Sequence, residues 1–202
     1  MWIDDQHARR GKPIAYDRLP ATYDYSALND QFAKTTTQGA GLGREIFHAI
    51  RRDPFKPYRL ADRTAGEKDG ANAKAMYSPY SYGGHHNHPS QGVDWKTKKP
   101  YVGNAVSGGD ARNLIASGAL FTIAQDGDEQ MMFVRTDRTP NLNSKQQDTL
   151  RDEHSKRVEK YYYGDMSWRD ANLRAAKETA ARYGLGFYEG RGGIFKRVPT
   201  DK

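Results

Sequence analysis

Apolar positions are sparse over the first forty residues, where Tyr16, Tyr23, Tyr25 and Phe32 stand as isolated anchors in a polar segment. Ser26 to Lys34 is predicted as a short helix, and the threonine run Thr35-Thr36-Thr37-Gln38-Gly39 as a linker. The pattern then changes. Arg44-Glu45-Ile46-Phe47-His48-Ala49-Ile50 reads as a strand, stopped by Asp53-Pro54-Phe55-Lys56-Pro57. Ala71 to Met76 reads as an insertion helix or loop, and Tyr77 to Gly84 leads to a cluster of histidines. Ala111 to Ser117 has a helical pattern that Gly118 would end, and Leu120 to Ala124 is a short apolar strand. Asp126-Gly127-Asp128 is a turn signal, with Met131 to Val134 as the returning strand.

After Pro140 the period becomes helical again. Ser144 to Tyr163 is predicted as one charged helix and Trp168 to Tyr183 as a second, ended by Gly184. Within the first, Tyr161-Tyr162-Tyr163 is read as helix packing rather than a stacking platform. Gly186-Phe187-Tyr188 and Gly193 to Val198 form a predicted terminal hairpin around Glu189 to Gly192. Together these elements give an α/β fold with a mixed, mainly antiparallel sheet flanked by helices, and a helical and hairpin C-terminal extension. The expected organisation is an N-terminal extension over 1–40, a core over 41–140, and C-terminal helices and hairpin over 141–202.

Composition alters this picture little. The 202 residues suit one modest domain with additions, and the low apolar fraction implies long loops. No apolar run is long enough to span a membrane, and Met1-Trp2-Ile3-Asp4-Asp5 does not read as a signal peptide. The absence of cysteine excludes disulfides and thiolate metal sites, and leaves the chain indifferent to redox compartment. The net charge of +7 favours acidic partners, but Lys and Arg are scattered, so nucleic acid is not the expected ligand.

The chemistry concentrates at His86-Asn87-His88-Pro89 and Ser107-Gly108-Gly109-Asp110. In an extended segment residues i and i+2 share a face, so His86 and His88 can converge on one ion. Asp110 can add an anionic ligand from another element. Three protein ligands leave a coordination position open, as in a catalytic rather than a structural zinc site. Ser107 and Asp110 also have the spacing of a capping box, with Asp in place of Glu or Gln, so helix capping is their bland alternative. Asn87 points away from the metal and receives no role. His85 lies on that same outward face, as a surface or supporting residue. His7, His48 and His154 have no motif around them.

In this order the residues resemble the JAMM (MPN-plus) metalloprotease family, whose motif is a glutamate, then His-x-His-Pro, then Ser-x-x-Asp. The likeness spans roughly residues 40 to 136, including the helix and strands after Asp110. The connection from Gln91 to Val106 is longer than in the compact peptidases, which is more like the JAMM-related domains of bacterial polymorphic toxins. The resemblance implies a JAMM or cytidine-deaminase-like fold and a Zn2+ ion on His86, His88 and Asp110. It implies Glu45 as general base, with Glu67 as its rival, and Ser107 as donor to the oxyanion. The expected substrate is a peptide or isopeptide bond, including that of a ubiquitin-like conjugate. A toxin context further implies a cognate immunity protein and a secreted or delivered effector without a classical signal peptide; outside it the chain would be cytoplasmic. Two alternatives stand beside this reading. One is a His-Asn-His nuclease, although the only histidine after His88 is the distant His154. The other is a JAMM-like binding module that has lost its activity.

Overall fold

Residues 12–51, 58–66, 73–78, 81–88, 98 and 106–200 are described by a computed structural model. Glu67, His7, Pro89, the Asp53–Pro57 segment and nearly all of the Gln91–Ala105 connection lie outside the described residues.

Among the described residues eight strands form one sheet: β1 (Thr22–Asp24), β2 (Ile46–Arg51), β3 (Arg59–Ala65), β4 (Ser81–Asn87), β5 (Phe121–Asp126), β6 (Glu129–Val134), β7 (Gly186–Arg191) and β8 (Ile194–Arg197). Their order is β1-β8-β7-β6-β5-β4-β2-β3. Only β4 and β5 run parallel, so the sheet is mixed and mainly antiparallel, as the sequence predicts. The helices are α1 (Asn29–Leu42), α2 (Gly108–Ser117), α3 (Ser144–Tyr163) and α4 (Trp168–Arg182). A parallel pair needs a crossover rather than a hairpin. The chain between β4 and β5 provides it and carries α2.

Register sorts the side chains into two layers. Phe47, His86, Ala124, Met131 and Glu189 are successive partners across β2, β4, β5, β6 and β7, so they share one face. That face packs with Leu114 and Ile115 of α2, Leu150 of α3 and Ala176 and Ala180 of α4 in one core. The neighbouring row, His48, His85, Ile123, Met132 and Tyr188, faces the other way. There Tyr23, Tyr25, Leu28 and Phe32 complete a second core. Covered on both sides, β5 is buried along its whole length, which explains a run that is apolar rather than alternating. The C-terminal hairpin joins this same sheet through β6 and β7, at a turn where Gly192 and Gly193 both have positive φ.

Two local expectations change. The segment predicted as a linker, Thr35 to Gly39, continues α1. Phe32, Thr35 and Gly39 make its buried stripe at helical spacing. The Thr35 and Thr36 hydroxyls donate back to the Gln31 and Phe32 carbonyls, so β-branched residues are tolerated where packing rewards the helix. Leu42 is followed by Gly43 in the left-handed region (φ 61°), and the N–H groups of Gly43 and Arg44 cap the Ala40 and Gly39 carbonyls. The second change is His85, which is fully buried rather than at the surface, because α1 covers its face and Phe32 stacks on it at 4.2 Å. Ala73–Tyr77 forms a short 3-10 helix in the predicted insertion. Of the three tyrosines, Tyr162 is buried edge-on to Trp168, whereas Tyr163 is exposed.

Candidate metal centre

The site forms where three chain ends meet. β4 ends at Asn87, its antiparallel neighbour β2 begins at Ile46, and α2 begins at Gly108. His86 occupies the sheet face covered by α2, and His88 follows two residues later, its N–H donating to the Gln125 carbonyl of β5 at 2.7 Å. Glu45 immediately precedes β2, with its carbonyl accepting from the Gly66 N–H at 2.8 Å. The sequence pattern that put Glu45 at a strand start therefore puts it beside the histidines.

Donor atoms converge. The Nε2 atoms of His86 and His88 lie 3.0 Å apart, and Asp110 Oδ1 lies 3.1 Å from His86 Nε2. Glu45 Oε1 is 3.9 Å from His88 Nε2. Among the described residues, Glu45, His86 and His88 form the set whose donor atoms all lie within 4.8 Å of one another. These spacings suit a metal. Bonds of 2.0–2.1 Å in a tetrahedron put neighbouring donors about 3.3 Å apart, close to the His86–His88 and His86–Asp110 separations. Two imidazole nitrogens and a carboxylate make an N/O donor set that zinc accepts, with no soft ligand to favour Cu(I) or an iron–sulfur cluster.

Asp110 is held by the start of its own helix. The predicted capping box is present: Ser107 Oγ accepts from the Asp110 N–H at 3.2 Å, and Asp110 Oδ2 accepts from the Ser107 N–H at 2.7 Å. The Ser107 hydroxyl also donates to Asp110 Oδ2 at 2.8 Å. Capping and metal binding are thus compatible, because Oδ2 serves the cap while Oδ1 faces His86. The helix N-terminus adds a positive field that favours the carboxylate.

Electrostatics couple the pair. Burial disfavours a charged His86, but contact with Asp110, their hydrogen bond and the nearby Glu45 outweigh it and raise its pKa to about 9. Burial likewise opposes an ionised Asp110, yet the His86 charge holds that carboxyl below the usual carboxylate range. Without metal, the proton on His86 therefore partly substitutes for the cation. On the other face His85 is held neutral by burial, its pKa lowered to about 3, and its Nε2 lies 3.1 Å from Gln125 Oε1.

A pH dependence follows. His86 titrates above its ordinary 6.5, so the stability from the ion pair is fully present below pH 6.5 and lost as pH rises through about 9. Asp110 sets the other limit, since its share is present above pH 3.8 and lost as pH falls below that. Chelator-treated protein should show a thermal midpoint that declines between pH 6.5 and 9.5. Asp110→Asn should lack most of that decline. Zinc must displace the His86 proton, so apparent zinc affinity should rise with pH up to about 9.

Two further residues near the cluster are buried. Asn87, expected to have no role, is buried, and its Oδ1 accepts from the Ile46 N–H at 2.7 Å. His154 of α3 is also buried, at the α2–α3 contact, where any side chain at Gly108 would overlap its Cβ. Its Nδ1 lies 3.0 Å from Thr179 Oγ1, and burial lowers its pKa to about 4 despite the charge of Asp110. A sequence signal for either was absent, since each depends on a partner far along the chain. Arg112, close to the motif in sequence, pairs instead with Asp148 of α3 at 3.1 Å. A cleft of about 640 Å³ bordered by Glu129, Arg169, Glu189, Arg191 and Lys196 contains none of the cluster residues.

No family model, no curated protein and no solved structure matches the chain. The resemblance to JAMM peptidases therefore rests on motif residues alone. What the structure adds is a small His/His/Glu cluster able to chelate a metal, with Asp110 against it.

Proposed function

We propose that the chain is a zinc-dependent hydrolase that cleaves a peptide or isopeptide bond, with His86, His88 and Asp110 holding the ion. The observation that carries this reading is the cluster of Glu45, His86 and His88, whose donor atoms all lie within 4.8 Å of one another, with Asp110 Oδ1 against His86 Nε2 at 3.1 Å. When bound, zinc would supply Lewis acidity and lower the pKa of a water towards roughly 7. Glu45 is the proton carrier. It accepts a proton as the water oxygen bonds to the substrate carbonyl carbon, and returns it to the leaving nitrogen as the C–N bond breaks. The Ser107 hydroxyl is the candidate donor to the developing oxyanion; to act, it must exchange its 2.8 Å bond to Asp110 Oδ2 for one to substrate. The toxic effector role, with its immunity partner and its secretion, extends the reading by analogy with JAMM-related toxin domains.

Zinc-loaded protein should be incubated with polyubiquitin chains, a cell proteome, plasmid DNA and total RNA. New peptide termini that vanish with His88→Ala and with chelator are expected. Nucleic-acid degradation lost in the same variant would replace the peptidase by the nuclease reading.

A further inference from the structure

The x residue of His-x-His faces away from the metal, yet its surroundings are those of a functional part. Its Oδ1 accepts from the Ile46 N–H at 2.7 Å, and its Nδ2 faces the Arg44 carbonyl at 3.5 Å. These two main-chain groups flank Glu45 on either side. The reason lies in strand register. β2 and β4 pair through Phe47 and His86, and the next rung would join Ile46 to Asn87. At that point β4 stays with β5, where Asn87 pairs with Gln125 and the His88 N–H goes to the Gln125 carbonyl. The Asn87 carboxamide thus takes the place of the missing peptide group in the ladder. A primary amide is the side chain able to do so, since it offers one acceptor and donors like a peptide group.

Space for this amide is reserved by another element. Gly39 of α1 lies against it, and a Cβ there would overlap the Asn87 amide atoms. The same glycine supplies the carbonyl that caps the Arg44 N–H at 3.1 Å. With the Gly66 N–H on the Glu45 carbonyl, the backbone around Glu45 is fixed from three sides. Such constraint has a chemical use. A general base must sit within hydrogen-bond reach of the proton it takes, and small displacements are costly. A residue just before a strand would otherwise fray.

We propose that Asn87 is the positioning residue for Glu45, with Gly39 as the cavity that admits it. The proposal rests on the peptidase reading, in which Glu45 serves the water rather than the ion. It is distinct from metal binding, because the Asn87 side chain lies on the opposite sheet face from His86.

The test uses cobalt(II) in place of zinc and needs no substrate. The variants are Asn87→Leu, similar in size but without hydrogen bonds, together with Asn87→Asp, Gly39→Ala, Glu45→Gln and Asn87→Leu/Glu45→Gln. Cobalt uptake should persist in all of them. Glu45→Gln should shift the pH midpoint of the cobalt visible spectrum, Asn87→Leu should shift it in the same direction, and the double variant should shift it no further. In metal-free protein, the Ile46 amide should exchange with solvent about tenfold faster in Asn87→Leu, while Asn87→Asp, which keeps the Oδ1 acceptor but loses the Nδ2 donor to Arg44, should exchange at a rate between that of Asn87→Leu and the wild type. Gly39→Ala should reproduce Asn87→Leu from the helix side, which guards against misfolding of a single variant. An unchanged midpoint in both Asn87→Leu and Gly39→Ala, with normal Ile46 exchange, would overturn the positioning role alone. No cobalt uptake by the wild type, or no midpoint shift in Glu45→Gln, would overturn the peptidase reading and this proposal with it.

Discussion

Glutamine at position 45 should leave zinc in place while lowering hydrolysis about a hundredfold to ten-thousandfold. The substitution keeps the size of the side chain and removes only its basicity. Glu45 Oε1 stands 3.9 Å from His88 Nε2, farther than the 3.1 Å between Asp110 Oδ1 and His86 Nε2. The peptidase reading assigns Glu45 to the water and Asp110 to the ion. Metal content and turnover, measured on one preparation, check this. Zinc lost from Glu45→Gln but kept by Asp110→Asn would make Glu45 the anionic ligand, the arrangement in which all three donor atoms lie within 4.8 Å of one another. Full turnover in Glu45→Gln would remove it from the mechanism, and Glu67 would become the residue to test.

Replacing His86 should have the largest effect on the metal. His86 is central, lying within about one tetrahedral edge of both His88 and Asp110. His86→Ala and Asp110→Asn should each weaken zinc binding by more than about a hundredfold, beyond what loss of a supporting residue costs. His86→Ala should also destabilise the metal-free protein, because Asp110 is left buried without its cationic partner. Asp110→Asn should be milder in the metal-free form, since the Ser107 cap survives through Ser107 Oγ and the Asp110 N–H. Elemental analysis and chelator competition at pH 7 give the first result, and urea unfolding the second. Full zinc in a His86→Ala/His88→Ala double variant would sink the site.

Under the proposed reading the two carboxylates take different roles by environment. Asp110 is held at a helix N-terminus by its own capping box and lies against His86. Glu45 sits just before a strand, its backbone tied by Gly66 and Asn87. One site favours ionisation and a fixed lone-pair direction. The other ties the backbone of a carboxylate whose Oε1 lies 3.9 Å from His88 Nε2. Ser107 remains between roles, as cap, as donor to Asp110 and as the proposed oxyanion donor.

Much of this was legible in the chain itself. The capping box at Ser107 and Asp110, the stop at Gly118, the α3 span, the β5–β6 hairpin and the terminal hairpin all depend on residues close in sequence. The shared face of His86 and His88 follows from the two-residue period of an extended chain. Other features were out of reach for the opposite reason. Asn87 and Ile46 are 41 residues apart, and their bond exists only because β4 leaves β2 to follow β5 at that rung. α1 runs through its threonines because Phe32 finds His85 on the sheet, a contact no local propensity encodes. His154 matters only because α3 crosses α2 closely enough to exclude a side chain at Gly108. Short-range hydrogen bonds and periodicities determined the elements and the donor types. Strand register and helix packing, which act between distant segments and are decided by how apolar faces are covered, determined which donors meet and what holds them.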